Sequence, residues 1–201
     1  MGKIKEIIIG TNNEGKYKEI CNLLPNKVRK YSPKEFNISS PEETGKTFKE
    51  NSFLKASYFS KKTNLICLSD DSGLEIDLLS GKPGIYSSRW SGEKNNFDLA
   101  IRRVFEEMNN IKEDWTRENI ARFICSMTLY WPDGKNFSTQ GIVKGKISTV
   151  KKGKNGFGYD PIFIPDGYNQ TFAEMMPNMK MSIDHRFKAF NQIKNFFIDK
   201  L

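Results

Sequence analysis

Short continuous apolar runs alternate with patches of helical period along this chain. Ile4-Lys5-Glu6-Ile7-Ile8-Ile9 predicts a strand, Gly10 to Gly15 a loop, and the following residues a helix that ends before Pro25. Phe48, Leu54, Tyr58 and Phe59 recur near helical spacing between about Lys46 and Lys61, with lysines on the other face. Leu65-Ile66-Cys67-Leu68 is an unbroken apolar run, as expected of a strand covered on both faces, and it ends at Asp70-Asp71, with Ser72-Gly73 as a tight turn. A third helix is predicted over Phe97 to Met108. Ala121 to Trp131 and Phe137 to Ser148 then predict two strands of an antiparallel hairpin, joined by Pro132-Asp133-Gly134-Lys135. A closing amphipathic helix is expected from near Asp184, carrying Phe190, Ile193, Phe197 and Ile198. The class is α/β with a mixed sheet.

Composition narrows the picture in three ways. With 201 residues, 37% of them hydrophobic and 12% aromatic, the chain can bury a sizeable core, and a single domain over 1–201 is expected. A net charge of +8 and a pI near 9.3 attract anions, whether nucleotide, nucleic acid or membrane surface. Three cysteines in apolar stretches, Cys21, Cys67 and Cys125, do not make a disulfide framework, which favours reduced thiols and the cytoplasm. The run from Ile7 to Ile9 is too short for a signal-peptide core, and no stretch approaches the roughly 20 apolar residues of a membrane-spanning helix.

Four groups of residues carry candidate chemistry. Gly10-Thr11-Asn12-Asn13-Glu14-Gly15-Lys16 stands between a strand and a helix, where backbone N–H groups and the helix dipole can receive phosphate oxygens. It almost spells a P-loop, but Tyr17 stands where a magnesium-binding Ser or Thr would be; the plainer alternative is an Asn-rich turn with a solvated lysine. Asp70 and Asp71, with Glu42 and Glu43 in a polar loop, offer hard oxygen ligands suited to Mg²⁺, and one of them can act as a base; an isolated Asp pair otherwise reads as a loop cap. Gly156-Phe157-Gly158-Tyr159-Asp160-Pro161 combines close backbone approach, aromatic faces and an acceptor, which suits a planar ring, although aromatics more often belong to a core. Lys180 and His185-Arg186 supply donors for an anion or a carbonyl, or else decorate the first turn of a surface helix. His185 is the only histidine, which excludes a metal site built on histidines.

In their order, these segments resemble the inosine/xanthosine triphosphate pyrophosphatase family over nearly the whole chain. The most specific strings are Ser69-Asp70-Asp71-Ser72-Gly73-Leu74-Glu75, Gly81-Lys82-Pro83-Gly84-Ile85-Tyr86-Ser87-Ser88-Arg89-Trp90 and Gly156-Phe157-Gly158-Tyr159-Asp160-Pro161-Ile162-Phe163. The resemblance implies an elongated mixed β-sheet with flanking helices, two lobes around a central substrate cleft, and a homodimer. It also implies a magnesium-dependent hydrolysis of ITP, dITP and XTP to the monophosphate and pyrophosphate, with neither a membrane nor a nucleic acid as partner. By position, Thr11, Asn13 and Lys16 would hold phosphates with Lys55 near them, Asn12, Glu14 and Gly15 would belong to the same substrate-binding segment, Glu43 and Asp71 (with Asp70 beside it) would engage magnesium, and Asp71 would accept the proton. Ser72, Phe157, Gly158, Tyr159, Asp160, Lys180, His185 and Arg186 would contact the rest of the nucleotide. The family's Ser-His-Arg-Gly appears here as Asp184-His185-Arg186-Phe187.

Two other classes remain open on the residues alone. A P-loop NTPase would use Gly10 to Lys16 and an apolar strand ending in aspartate. A nucleic-acid-binding protein would use the basic loop Lys151 to Lys154 with Phe157 and Tyr159.

Overall fold

In a computed structural model of the chain, residues 3–92 and 96–197 are described. Six strands are hydrogen-bonded in the order β2-β1-β3-β4-β5-β6: β1 Glu6–Ile9, β2 Arg29–Tyr31, β3 Cys67–Ile76, β4 Ile120–Tyr130, β5 Asn136–Ile147 and β6 Phe163–Pro165. β1 runs parallel to β2 and β3, whereas β6 is antiparallel to β5, so the sheet is mixed, as expected. Five helices flank these strands: α1 Glu14–Leu23, α2 Phe48–Thr63, α3 Phe97–Ile111, α4 Pro177–Ile183 and α5 His185–Asn191.

The chain divides into two compact units. Unit 1 comprises residues 1–71, 125–141 and 185–201, and unit 2 comprises 72–124 and 142–184, so β3, β4 and β5 each contribute to both. In unit 1, Ile7 and Ile9 of β1 pack with Ile20 of α1, Met127 and Leu129 of β4, and Phe190, Ile193 and Phe197 near the C-terminus. On α2, Ala56 and Phe59 close over Ile8 and Cys67. The continuous apolar character of β1 follows from this two-sided cover. Unit 2 is built on Val104 and Met108 of α3, Leu74 and Ile76 of β3, and an aromatic group in which Phe123 meets Phe163 at 4.7 Å and Phe172 at 5.9 Å between ring centroids.

Local sequence chemistry sets most element ends. Asn13, Thr47 and Asn96 cap α1, α2 and α3 by accepting from the N–H three residues on. Asn64 ends α2 in the left-handed conformation, which asparagine tolerates. The turn expected at Pro132 to Lys135 is present, with Trp131 N–H donating to Lys135 O at 2.9 Å and Gly134 at positive φ.

Two expectations are corrected. Ser72-Gly73 is not a turn, because β3 continues to Ile76; it lies between β1 and β4, and its far end is held by a bridge from Glu75 to Pro83 and by Ile76 N–H to Lys82 O. Partners on the sheet override the turn propensity of Asp-Ser-Gly. The closing helix is also shorter than expected. α5 stops at Asn191, and Ile193, Phe196 and Phe197 make three-residue hydrogen bonds while Phe196 O accepts from Ile4 N–H, so the carbonyl serves the N-terminal strand region instead of another helical turn. Ile198 lies outside the described residues.

Candidate functional site

Unit 1 gathers most of the charged residues singled out in the sequence; Asp160 and Lys180 belong to unit 2. Because α1 begins at Glu14, Gly15 and Lys16 belong to its first turn, and the Lys16 N–H already donates to Asn13 Oδ1 at 3.0 Å. A P-loop would present that N–H to a phosphate, so the structure removes the P-loop alternative. Thr11 is buried and its Oγ1 accepts from Asn13 N–H at 3.1 Å. Asn12 is exposed and donates to Ser40 Oγ, while Glu14 is exposed and pairs with Lys34 at 2.7 Å. Of this segment, the Lys16 ammonium is the group that reaches inward, to 3.3 Å from Asp70 Oδ2.

Period-two geometry then splits the paired aspartates, since consecutive strand residues point to opposite faces. Asp70, fully buried, receives Lys16, and its Oδ2 also accepts from Arg186 Nε at 3.3 Å and a terminal Arg186 nitrogen at 3.2 Å; the Cys125 thiol lies 3.9 Å away. Arg186 pairs in addition with Glu19 of α1. Asp71, also buried, faces α2: its Oδ1 accepts from Lys55 Nζ at 3.1 Å and its Oδ2 from Asn51 Nδ2 at 3.2 Å. The same Lys55 ammonium donates to Glu43 Oε1 at 2.5 Å. Glu43 is half-buried whereas Glu42 is exposed, so of the two loop glutamates it is Glu43 that joins the cluster.

Electrostatics favour a poised carboxylate. Burial pushes the Asp71 carboxyl above the usual carboxylate range; Lys55 and Lys16 oppose that, and Glu43 and Asp70 add to it. Burial alone would lower the Lys55 ammonium, but the carboxylates of Asp71, Glu43 and Asp70 outweigh it and hold the group above the ordinary lysine value. Three cations, Lys16, Lys55 and Arg186, here meet four carboxylates, Glu19, Glu43, Asp70 and Asp71.

His185 and Arg186 open α5 in unit 1 and are 3% and 2% exposed, which rules out the first turn of a surface helix. In unit 2, Asp160 Oδ2 accepts from Phe157 N–H at 2.9 Å and from Lys180 Nζ at 2.6 Å, closing the glycine-aromatic loop on a buried ion pair. Gly156 has φ +72°, and a Cβ there would lie 2.0 Å from Asp160 Oδ2. Tyr159 belongs to the core: it is 2% exposed, meets Phe97 edge-on at 5.6 Å, and donates to Ser87 O at 2.9 Å. Phe157 and Gly158 stay partly exposed, and the Lys180 ammonium lies 5.3 Å from the Phe157 ring centroid. Ser72 is half-buried within β3.

Sequence reasoning missed Glu19 and Asn51. Both carried a signal: Glu19 lies three residues after Lys16 on α1, and Asn51 four residues before Lys55 on α2, so each shares a helix face with a residue already singled out.

Comparison with known proteins places this geometry. A dITP/XTP pyrophosphatase of Rhodospirillum centenum is 43% identical over 188 residues, covering 93% of this chain and 92% of that protein. One of Oceanobacillus iheyensis is 40% identical over 196 residues, covering 96% and 98%. Among solved structures, a HAM1 protein from Coxiella burnetii superposes with a TM-score of 0.85 at 34% identity, covering 96% of this chain and 98% of that one. The Staphylococcus aureus Ham1 protein gives 0.81 at 35%, covering 96% and 97%. Residues 7–196 match the Ham1 family, a span holding every charged residue of the buried cluster in unit 1, and the chain belongs to that family.

Proposed function

We propose that this protein hydrolyses non-standard purine nucleoside triphosphates, ITP, dITP and XTP, to the monophosphate and pyrophosphate, clearing them from the nucleotide pool. The observation that carries the reading is the buried Asp71 carboxylate, gripped by Lys55 and Asn51 and raised in pKa by burial, in one cluster with the helix-borne Lys16. Names of the relatives in Rhodospirillum and Oceanobacillus, dITP/XTP pyrophosphatase, support the substrate class.

The residues divide the work by charge. Asp71 takes the proton of the attacking water, a task suited to a carboxylate whose pKa burial raises. In-line attack at the α-phosphorus then expels pyrophosphate, and Lys16 and Lys55 offset the charge that builds on it. The donor set fits Mg²⁺: Glu43 and Asp71 already share one cation, the Lys55 ammonium, and both present hard oxygens. When bound, Mg²⁺ would be held by Glu43 and Asp71 and would neutralise phosphate oxygens. A cluster with four carboxylates and three cations is short of positive charge for a polyanion, which supports the need for a divalent ion.

Base reading rests on donors. Hypoxanthine and xanthine present an acceptor oxygen at the 6-position, where adenine presents an amino group. His185 and Arg186, buried at the start of α5, are the candidates for pairing with it. The resemblance supports a homodimer, and three free thiols support a cytoplasmic setting. No helix among the described residues is long and apolar enough to cross a membrane.

The test is product identity across ITP, dITP, XTP, GTP and ATP, with and without a chelator. Pyrophosphate release that favours the first three and vanishes on chelation is expected. Orthophosphate release, or salt-sensitive oligonucleotide binding without hydrolysis, would sink the proposal.

A further inference from the structure

We infer that Asn51 is a positioning residue: it aims the Asp71 carboxylate and ties it to the loop that carries Glu43, an inference that rests on the pyrophosphatase reading. Asn51 is fully buried on α2, and both ends of its amide are engaged. Gly45 N–H donates to Asn51 Oδ1 at 2.8 Å. A backbone N–H can only donate, so the amide orientation is fixed and Nδ2 must point the other way, where it lies 3.2 Å from Asp71 Oδ2.

Asp71 is therefore held at both oxygens, Oδ2 by Asn51 and Oδ1 by Lys55, one helical turn further along α2. Removal of either donor frees the carboxylate to rotate about its last side-chain bond. The other end of the same amide reaches the loop: Gly45 stands two residues after Glu43, whose Oε1 accepts from Lys55. A Cβ at Gly45 would lie 2.6 Å from Asn51 Oδ1, so the approach needs glycine. One face of α2 thus fixes the two carboxylates relative to each other through four hydrogen bonds.

Asn51→Asp separates this role from a merely structural one. The new carboxylate still accepts from Gly45 N–H, but it replaces the donor facing Asp71 with a like charge. A residue that only anchors the loop would tolerate that change. Asn51→Ala, smaller and neutral, serves as the second variant. Each is read by steady-state kinetics with ITP, by calorimetric affinity for an α,β-imido analogue of ITP, and by thermal unfolding. Expected is a fall in kcat of about a hundred-fold, the scale for a 1 Å misplacement of a reacting group, in a folded protein. Analogue affinity, measured without a divalent ion so that Glu43 and Asp71 do not act on it through a metal, should stay within about three-fold, because Asn51 is not itself a binding contact. A kcat within about three-fold of wild type in a folded Asn51→Asp would overturn the inference, as would kcat and affinity falling by the same factor in both variants. Failure of the wild-type protein to release pyrophosphate would instead mark the functional reading as wrong, and this inference would go with it.

Discussion

Asp70 and Asp71 are consecutive in β3 yet turn to different hydrogen-bonding groups: Asp70 Oδ2 serves Lys16 and Arg186, while Asp71 serves Lys55 and Asn51. What reads as a pair of like ligands is two sites on opposite faces of one strand. One holds Lys16, the proposed phosphate ligand, in place, and the other is the proposed base.

Asp71→Asn should abolish turnover while the protein stays folded. The amide is nearly isosteric but cannot take a proton, and loss of a general base costs on the order of 10² to 10⁴ in rate. Initial rates of pyrophosphate release, with circular dichroism on the same samples, measure it. Activity near wild type would remove Asp71 from the proton transfer.

Arg186→Ala should destabilise the protein by about 3 to 5 kcal/mol, since it takes the guanidinium from Asp70, fully buried, and from Glu19. Urea unfolding of the two proteins gives the difference. Should Arg186 also read the base, the ITP-to-ATP ratio in kcat/KM narrows about ten-fold or more, corresponding to an unsatisfied acceptor. A lower stability with an unchanged ratio would assign Arg186 to the scaffold alone.

Lys16→Ala should weaken binding of a triphosphate far more than of a monophosphate. Its ammonium is held inward by Asp70, on the first turn of α1, and a charge-assisted hydrogen bond is worth about 1.5 to 3 kcal/mol. Calorimetry with the imido analogue of ITP and with IMP compares them. Equal losses would place Lys16 away from the phosphate tail.

Gly156→Ala should open the loop of unit 2. Its φ of +72° disfavours a side chain, and the added Cβ would collide with the Asp160 carboxylate that holds Lys180. Higher KM for every purine triphosphate is expected, and an unaltered KM would show that the loop lies away from the nucleotide.

Thiol chemistry provides a check on the cores. Burial pushes the Cys67 thiol well above its ordinary pKa, and Cys125 is fully buried, whereas Cys21 is only half-buried. With a chromogenic disulfide at pH 8, Cys21 should react first and slowly, and the other two only on unfolding. Three fast equivalents in native protein would contradict the packing.

Most of the strands and the larger helices were legible because their signals are local. The apolar run of β1 and the turn at Gly134 depend on residues a few positions apart. The extension of β3 through Ser72-Gly73 was not legible, because neighbouring strands supply hydrogen bonds that local propensity does not encode. The break after α5 has a similar cause, a carbonyl accepting from Ile4, 192 residues away in sequence from Phe196.

By itself, the sequence determined the element types, the three specific strings and their order, and hence the family resemblance and the inventory of charged groups. Tertiary structure decided which charge meets which. It sent Asp70 to Arg186 and Asp71 to Lys55, joined Glu43 but not Glu42 to the cluster, and made Tyr159 core. The physical reason is that a strand's alternation and a helix's turn fix which face a side chain takes, but only the packing of distant segments brings a partner to that face and removes the water between them.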